Sequence, residues 1–349
     1  MRSSENINWF ADVGLGDRAM VGGKGGSLGE LTRAGIPVPP GFVVGTSAFE
    51  RFLSLLENEE PIRRRVEVLG AQELEQITAL SESTRARLEN ALLPENLQTE
   101  ILDAYAELCG DKLTWPLAVR SSATTEDAED ASFAGLQDTY LWVIGAQATL
   151  HYVRSCWASL YSVPSIAYRR KHQMPEHGVA MAVVVQRMVD ARAAGVMFTR
   201  SPLTGDRSVI TIEGTWGLGS AVVSGEVTPD RFVIGKITGE ITVRDISDKH
   251  VQHVPAEGGG TREIETPEQL RRAPCLSDEE LAALKEVARK VESHYGRPQD
   301  IEWAIDRSGK IFLLQSRPET VWSAKSAAPV ARPAENPLHH VMNIFGGRR

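Results

Sequence analysis

The chain is 349 residues long, enough for two domains of ordinary size or one large bilobal unit with a substantial core. Apolar residues make up 42% and charged residues 24%, values of a folded globular protein that exclude disordered, collagenous and coiled-coil chains. Lys and Arg number 38 against 46 Asp and Glu, and the resulting formal charge of −8 argues against nucleic acid or an anionic membrane as partner while leaving room for a local cationic pocket.

The opening stretch MRSSENINWFADVG has no apolar core of signal-peptide type. The longest apolar run, residues 179–185, is far short of the roughly 20 residues that cross a bilayer. Cys109, Cys156 and Cys275 are odd in number and widely spaced, without a C-x-x-C pair, which fits a reducing compartment. A soluble cytoplasmic protein is the expectation.

In chain order, the first segment with chemical content is VGGKGGSLGEL, residues 21–31. It reads as a glycine-rich loop with Lys24 at its centre, leading into a helix, where backbone amides and the lysine suit a phosphate. It is not a Walker A loop, because Gly25 follows Lys24 where Ser or Thr is required. By spacing alone a flexible turn explains it better. Helical patterning follows over residues 71–108. In AVRSSATTEDAEDASFAGLQDTY, residues 118–140, Arg120 ends a strand-like run and Ser132, Phe133, Ala134 and Gly135 form a small-residue turn. An arginine there suits phosphate, and small residues permit close backbone approach. The acidic run between them reads as solvated loop.

Residues 179–189, VAMAVVVQRMV, are continuous and β-branched enough for a buried strand, which closes a first lobe at about residue 190. Short strands and glycine turns then predict a sheet-rich second lobe over 191–322. Glu213, the segment 216–219 and Pro229-Asp230 read as turns. His151, His172, His177, His250, His253 and His294 show no ligand spacing and read as structural or exposed. Over 277–295 a helix is predicted, with Ser277 and Glu280 as a capping box, Leu281, Leu284, Val287, Ala288 and Val291 as its apolar stripe, and Gly296 as its stop.

DIEWAIDRSGKIFLLQSRP, residues 300–318, predicts two strands joined at Ser308-Gly309. With those two residues as the loop, Glu302 faces Gln315 and Asp300 faces Arg317. Ile301, Trp303, Ile305, Phe312 and Leu314 then share a buried face, and the four polar residues share the other. Oxygen ligands suit a hard cation such as Mg2+, and the arginine beside them suits a phosphoryl group. A solvated face with weak cross-strand charge pairs is the plain alternative. From residue 323 the chain is Ala/Pro-rich and reads as a short flexible tail.

Taken together, GGKGGSLGEL, IPVPPGFVV, VRSSAT, SFAGLQDTY, VVVQRMV, GVMFTRSPLTGD, WGLGSAVVSGEVTPD, DIEWAID and LLQSRPET, in this order, resemble the N-terminal ATP-binding region of the pyruvate phosphate dikinase and phosphoenolpyruvate synthase family, which rifampicin phosphotransferase shares. The resemblance covers about residues 8–322. It implies an α+β, ATP-grasp-type fold with mixed and antiparallel sheets and the nucleotide held between lobes 1–190 and 191–322. By motif, Lys24 and Arg120 should bind ATP phosphates beneath the turn at Ser132, Phe133, Ala134 and Gly135, with Thr139 close by. Gln186 and the backbone of Met188 should lie near adenine, and Glu213 near the ribose. Glu302 and Gln315 should hold Mg2+, Arg317 should meet the transferring phosphoryl group, and Asp300 should support it; Arg317, Arg120 and Lys24 are the catalytic candidates.

In the family, phosphate passes from ATP to a histidine on a swivelling domain, and ATP ends as AMP with its γ-phosphate released to water or to phosphate. No such histidine motif is found here; His339 and His340, in NPLHHVM, do not match it. The chain thus resembles either the ATP-binding subunit of a split enzyme, whose partner carries the histidine and an acceptor-binding domain, or a stand-alone nucleotide sensor. Its size and content resemble the corresponding subunit of phenylphosphate synthase, with phenol or pyruvate as types of final acceptor. An ATP-grasp ligase that forms an acyl phosphate and ADP is a third alternative.

Overall fold

Alternating apolar residues and glycine turns among the described residues build two large sheets and a separate two-stranded hairpin, and one helix ties the two large sheets together. The computed structural model describes residues 4–112, 114–124, 138–320 and 322. Ser132, Phe133, Ala134 and Gly135, the segment 323–349 and its His339 and His340 lie outside the described residues.

The first sheet contains β1 (Ile7–Trp9), β2 (Gly41–Val44), β3 (Leu117–Ala123), β4 (Thr139–Val143) and β5 (Met181–Arg187), in the order β1-β2-β5-β3-β4 with antiparallel pairs throughout. The continuous apolar run makes β5 a central strand covered on both sides. Met181, Val183 and Val185 face a large helical core, whereas Ala182 and Val184 face Val21, Leu28 and Val43. Arg120 does not end its strand: β3 continues to Ala123.

The second part begins with β6 (Ala191–Phe198), β7 (Val209–Trp216), β8 (Asp230–Gly235) and β9 (Ile241–Asp245). A separate hairpin, β10 (Val251–Pro255) and β11 (Thr261–Glu265), follows. The chain then returns through β12 (Gln299–Asp306) and β13 (Ile311–Pro318) to give a six-stranded antiparallel sheet, β13-β12-β6-β7-β8-β9. Helix Asp278–Tyr295 covers one face. Its capping box joins Ser277 and Glu280, Gly296 ends it in the left-handed region, and Leu281, Leu284, Ala288 and Val291 pack with Met197, Ile212, Phe232, Ile301 and Trp303. The α+β organisation with antiparallel sheets is thus as expected.

Further local readings change. The glycine-rich segment around Lys24 is not a loop; it lies inside helix Arg18–Arg33, which breaks only at Gly22 (φ 71°, ψ 177°). Strand β3 seals that break: Ser122 Oγ donates to the Val21 carbonyl at 2.9 Å and accepts the Gly25 amide at 3.1 Å. Packing against β3 therefore overrides the poor helix propensity of five glycines. The helix also ties the two parts together. Val21 and Leu28 pack on the first sheet, Leu31 joins the core of the second, and Ser27 Oγ donates to the Ser316 carbonyl at 2.6 Å.

In the β12–β13 hairpin, Asp306 N donates to Lys310 O at 3.0 Å, so the loop has three residues, Arg307 to Gly309, with Gly309 at φ 86°. This shifts the pairing near the turn to Trp303↔Leu313 and Ile305↔Ile311. A bulge at Leu314 then restores the expected partners, Glu302↔Gln315 and Asp300↔Arg317. The polar face is as read from the sequence, but the apolar one is corrected. Leu313 joins Ile301, Trp303 and Ile305 in the core, and Phe312 and Leu314 lie on the opposite side.

A Cβ at Gly22 would stand 2.1 Å from the Ser122 carbonyl oxygen, whereas one at Gly35, also at positive φ, meets nothing within 4 Å. Gly22→Ala is expected to lower stability by roughly 3 kcal/mol or more and Gly35→Ala by only about 1 kcal/mol, as measured by urea unfolding.

Candidate functional site

Direct cross-strand partners project to the same side of a sheet, so the registers define shared surfaces. On the second sheet Gln315, Glu302, Val196, Glu213 and Arg231 form one transverse row. Arg317, Asp300 and Phe198 form the next row on that side. In the other direction the same side carries Ala304 and Ala194, which cluster with Val189, Ala191 and Leu218 and are flanked by Met188, Phe312 and Leu314. One side of the sheet thus passes over a few residues from charged groups to a buried apolar cluster, a gradient suited to a ligand with an anionic end and an apolar end.

Arg120 joins this surface to the first sheet, where it pairs with Thr139 and Val184. One guanidinium nitrogen, Nη1, donates to the Leu314 carbonyl at 3.0 Å; the other, Nη2, donates to Gln315 Oε1 at 2.7 Å and Glu302 Oε2 at 3.1 Å. The bulge that realigns the hairpin supplies the first of these acceptors. Because Glu302 and Gln315 aim oxygens at one point, now held by a cationic nitrogen, they fit Mg2+, a hard cation that prefers oxygen donors.

Lys24 is only 6% exposed, and its Nζ donates to the Ser121 carbonyl at 2.8 Å, one residue along β3 from Arg120. The helical segment restarting after Gly22 adds the positive end of its dipole beside these two cations. Gln186 shares the Arg120 side of the first sheet, two residues beyond Val184, and its Nε2 donates to the Pro39 carbonyl at 3.1 Å. The Met188 amide donates to the Pro116 carbonyl at 2.9 Å, which fixes the crossing between the two sheets. Thr139 is exposed at the start of β4. Arg317 lies outermost, its Nε 3.5 Å from Asp300 Oδ2. Glu213 does not lie in a turn but in the middle of β7, where burial raises its carboxyl above the ordinary range against the opposing pull of Arg231.

The structure therefore brings Arg120, Glu302 and Gln315 into contact. Asp300 and Arg317 stand beside them, Lys24 lies behind Arg120, and Glu213 is two strands away on the same face. Other residues were given too little weight by the sequence. Asp230, read as part of a turn, is fully buried and accepts from Lys249 Nζ at 2.6 Å and from the Ser247 and Cys275 amides at 2.9 Å. His253 has partners despite lacking ligand spacing: Ser220 Oγ is 2.7 Å from Nδ1 and Glu226 Oε2 is 2.6 Å from Nε2. His294 Nε2 lies 2.7 Å from Glu30 Oε1. The glycine turn at 258–260 was the signal for part of the His253 grouping, since it sets His253 opposite Glu263. All three cysteines are free and buried. Among the described residues no helix is long and apolar enough to cross a membrane.

The family model for the pyruvate phosphate dikinase AMP/ATP-binding domain matches residues 18–336. A probable phosphoenolpyruvate synthase of Methanothermobacter thermautotrophicus is 44% identical over 316 residues, covering 90% of this chain and 46% of that protein. A phosphoenolpyruvate synthase of Pyrococcus furiosus is 37% identical over 371 residues, covering 94% of this chain and 45% of that protein. The chain thus spans less than half the length of these relatives. Among solved structures, a biotin carboxylase complex from Campylobacter jejuni aligns with a TM-score of 0.29 and 11% identity over 83% of this chain and 38% of that one, a likeness too weak to bear on function. The match across nearly all the described residues identifies the chain as a member of the pyruvate phosphate dikinase AMP/ATP-binding domain family.

Proposed function

We propose that this chain is the ATP-binding subunit of a dikinase-type phosphotransferase. It holds Mg-ATP between its two sheets and passes a phosphoryl group to a histidine on a separate partner subunit, which carries it to a small acceptor such as phenol or pyruvate. The observation that carries this reading is the convergence of Arg120 from one sheet with Glu302 and Gln315 from the other. Support also comes from the names of the relatives, phosphoenolpyruvate synthases whose matched part is less than half of each protein. A cytoplasmic setting belongs to the same reading and accords with three free, buried thiols.

The triphosphate lies along the polar row, and the adenine toward its apolar end, close to Gln186 and the backbone of Met188. Lys24 and Arg120 bind phosphate oxygens, with Thr139 nearby, and Glu213 accepts from the ribose hydroxyls. Glu302 and Gln315 would hold Mg2+, which when bound neutralises phosphate charge. Phosphoryl transfer through a loose transition state calls chiefly for positioning and charge stabilisation. Arg317 provides the latter from the exposed rim, where an incoming imidazole can reach the phosphorus, and Asp300 orients its guanidinium. The turn at Ser132, Phe133, Ala134 and Gly135 covers the phosphates in this reading.

The test is product analysis. The purified chain should bind ATP yet release AMP only slowly until a histidine-bearing phosphotransfer subunit is added; rapid ADP formation with a small carboxylate and no partner would instead support an acyl-phosphate ligase. Arg317→Ala should lower phosphoryl transfer by on the order of a hundredfold, with the Kd for ATP changed by less than about threefold. Equal losses in transfer and binding would remove Arg317 from its assigned role.

Glu213 yields a second, pH-dependent prediction. Its folded-state pKa is raised, so the stability it confers is full below the ordinary carboxyl pKa and is lost as the pH rises through the folded value. Glu213→Gln cannot ionise. The variant should therefore gain stability relative to wild type as the pH rises from the ordinary carboxyl range through the raised one, read from urea midpoints, while binding ATP more weakly.

A further inference from the structure

The β10–β11 hairpin brings together a set of side chains that the proposed nucleotide site does not use. His253 on β10 faces Glu263 on β11 in direct register, and Glu226, from the turn after helix Ser220–Val223, meets them from outside the hairpin. One ligating atom from each of Glu226, His253 and Glu263 lies within 4.8 Å of the others. Three separate segments of chain thus present one imidazole and two carboxylates to a common point.

The hydrogen bonding selects the nitrogen that faces this point. Ser220 Oγ stands 2.7 Å from Nδ1 and engages it, which leaves Nε2 toward Glu226 Oε2 at 2.6 Å. A partner on one ring nitrogen that orients the other is the usual arrangement around a metal-bound imidazole. A single imidazolium proton can serve only one carboxylate at short range, whereas a divalent cation at the common point is bound by both and by the nitrogen. Mixed nitrogen and carboxylate donors suit Zn2+ and its first-row neighbours better than Mg2+, which favours all-oxygen sites. His253 has 14% of its side chain exposed and Glu226 45%, so an ion can enter from solvent.

The geometry points to a second metal site, in which Glu226, His253 and Glu263 bind one divalent transition-metal ion of the Zn2+ class, separate from Glu302 and Gln315. Its setting couples it to the segments around the proposed nucleotide site. The His253 carbonyl accepts the Leu218 amide at 2.9 Å, and Leu218 clusters with Ala194 and Ala304 on the Glu302 side of the second sheet. At the hairpin tip the Gly260 amide donates to the Trp142 carbonyl of the first sheet at 3.0 Å. An ion at the hairpin therefore fixes the 217–226 segment against a strap that reaches the other sheet.

The experiment uses the full chain, stripped of metal with a chelator and free of nucleotide. Zn2+ affinity is measured by competition with a chromophoric chelator, and Co2+ binding by its visible absorption. One equivalent of Zn2+ is expected at micromolar concentration, with a rise in Tm. His253→Ala and Glu263→Gln should each weaken binding at least tenfold and abolish the rise in Tm, while Glu302→Gln keeps the equivalent. Absence of stoichiometric micromolar binding, or its survival in His253→Ala, overturns the site. If His253→Ala does not fold, Glu263→Gln, at an exposed strand position, decides the question by the same criterion.

Discussion

Among the described residues the Arg120 guanidinium links the first sheet to the β12–β13 hairpin of the second, and the polar groups around it are arranged about that contact. Arg120 extends from the first sheet and donates to three acceptors on the β12–β13 hairpin, two of them side-chain oxygens and one the carbonyl of a bulged residue. Its side chain is only 10% exposed, so the charge acts in a medium less screening than water and its charged hydrogen bonds are stronger for it. A planar donor fork matches this acceptor set in a way that a lysine's point charge would not. The acidic residues of the hairpin are thereby answered by cations from both sides, Arg120 from the first sheet and Arg317 within the hairpin.

Such a contact needs both sheets held in a fixed relation. Helix Arg18–Arg33 supplies this by packing its early apolar residues on the first sheet and its last ones in the core of the second. The break at Gly22 is integral to that role, because it lets β3 approach closely enough for Ser122 to bond both sides of the break and for Lys24 to reach the Ser121 carbonyl. A buried amine and a restarted helix end therefore lie directly behind Arg120. Farther out, the fully buried pair Asp230 and Lys249 ties β8 to the segment before β10, and the Cys275 amide adds the entry to the capped helix. A buried pair of this kind is maintained by its complete set of hydrogen bonds, which here come from three separate parts of the chain.

The site and the fold were legible in the sequence to different degrees, and the difference tracks the distance over which the deciding forces act. Local pattern was sufficient for helix Asp278–Tyr295, whose cap, stripe and stop are all within one segment. It was sufficient for the buried strand β5 and for the polar face of the β12–β13 hairpin as well. The hairpin is instructive, since a loop one residue longer than read and a bulge at Leu314 cancel beyond Glu302, leaving the polar pairs correct and Phe312 and Leu314 on the wrong side. Alternation counted from the turn cannot anticipate a bulge, because a bulge is placed by what the strand packs against. The helical state of the glycine-rich segment was hidden for a related reason: its stabilising partners are on β3, about a hundred residues away.

By itself, the amino-acid order determined which short segments become helix or strand and which residue types could meet a phosphate or a hard cation, because those properties depend on neighbours a few positions apart. Only the tertiary structure decided that Arg120 would stand against Glu302, 182 residues away, and that His253 would meet Glu226 and Glu263. Those encounters arise from the packing of two sheets and a strap around shared apolar cores, and no periodicity within any one segment encodes where another segment will lie.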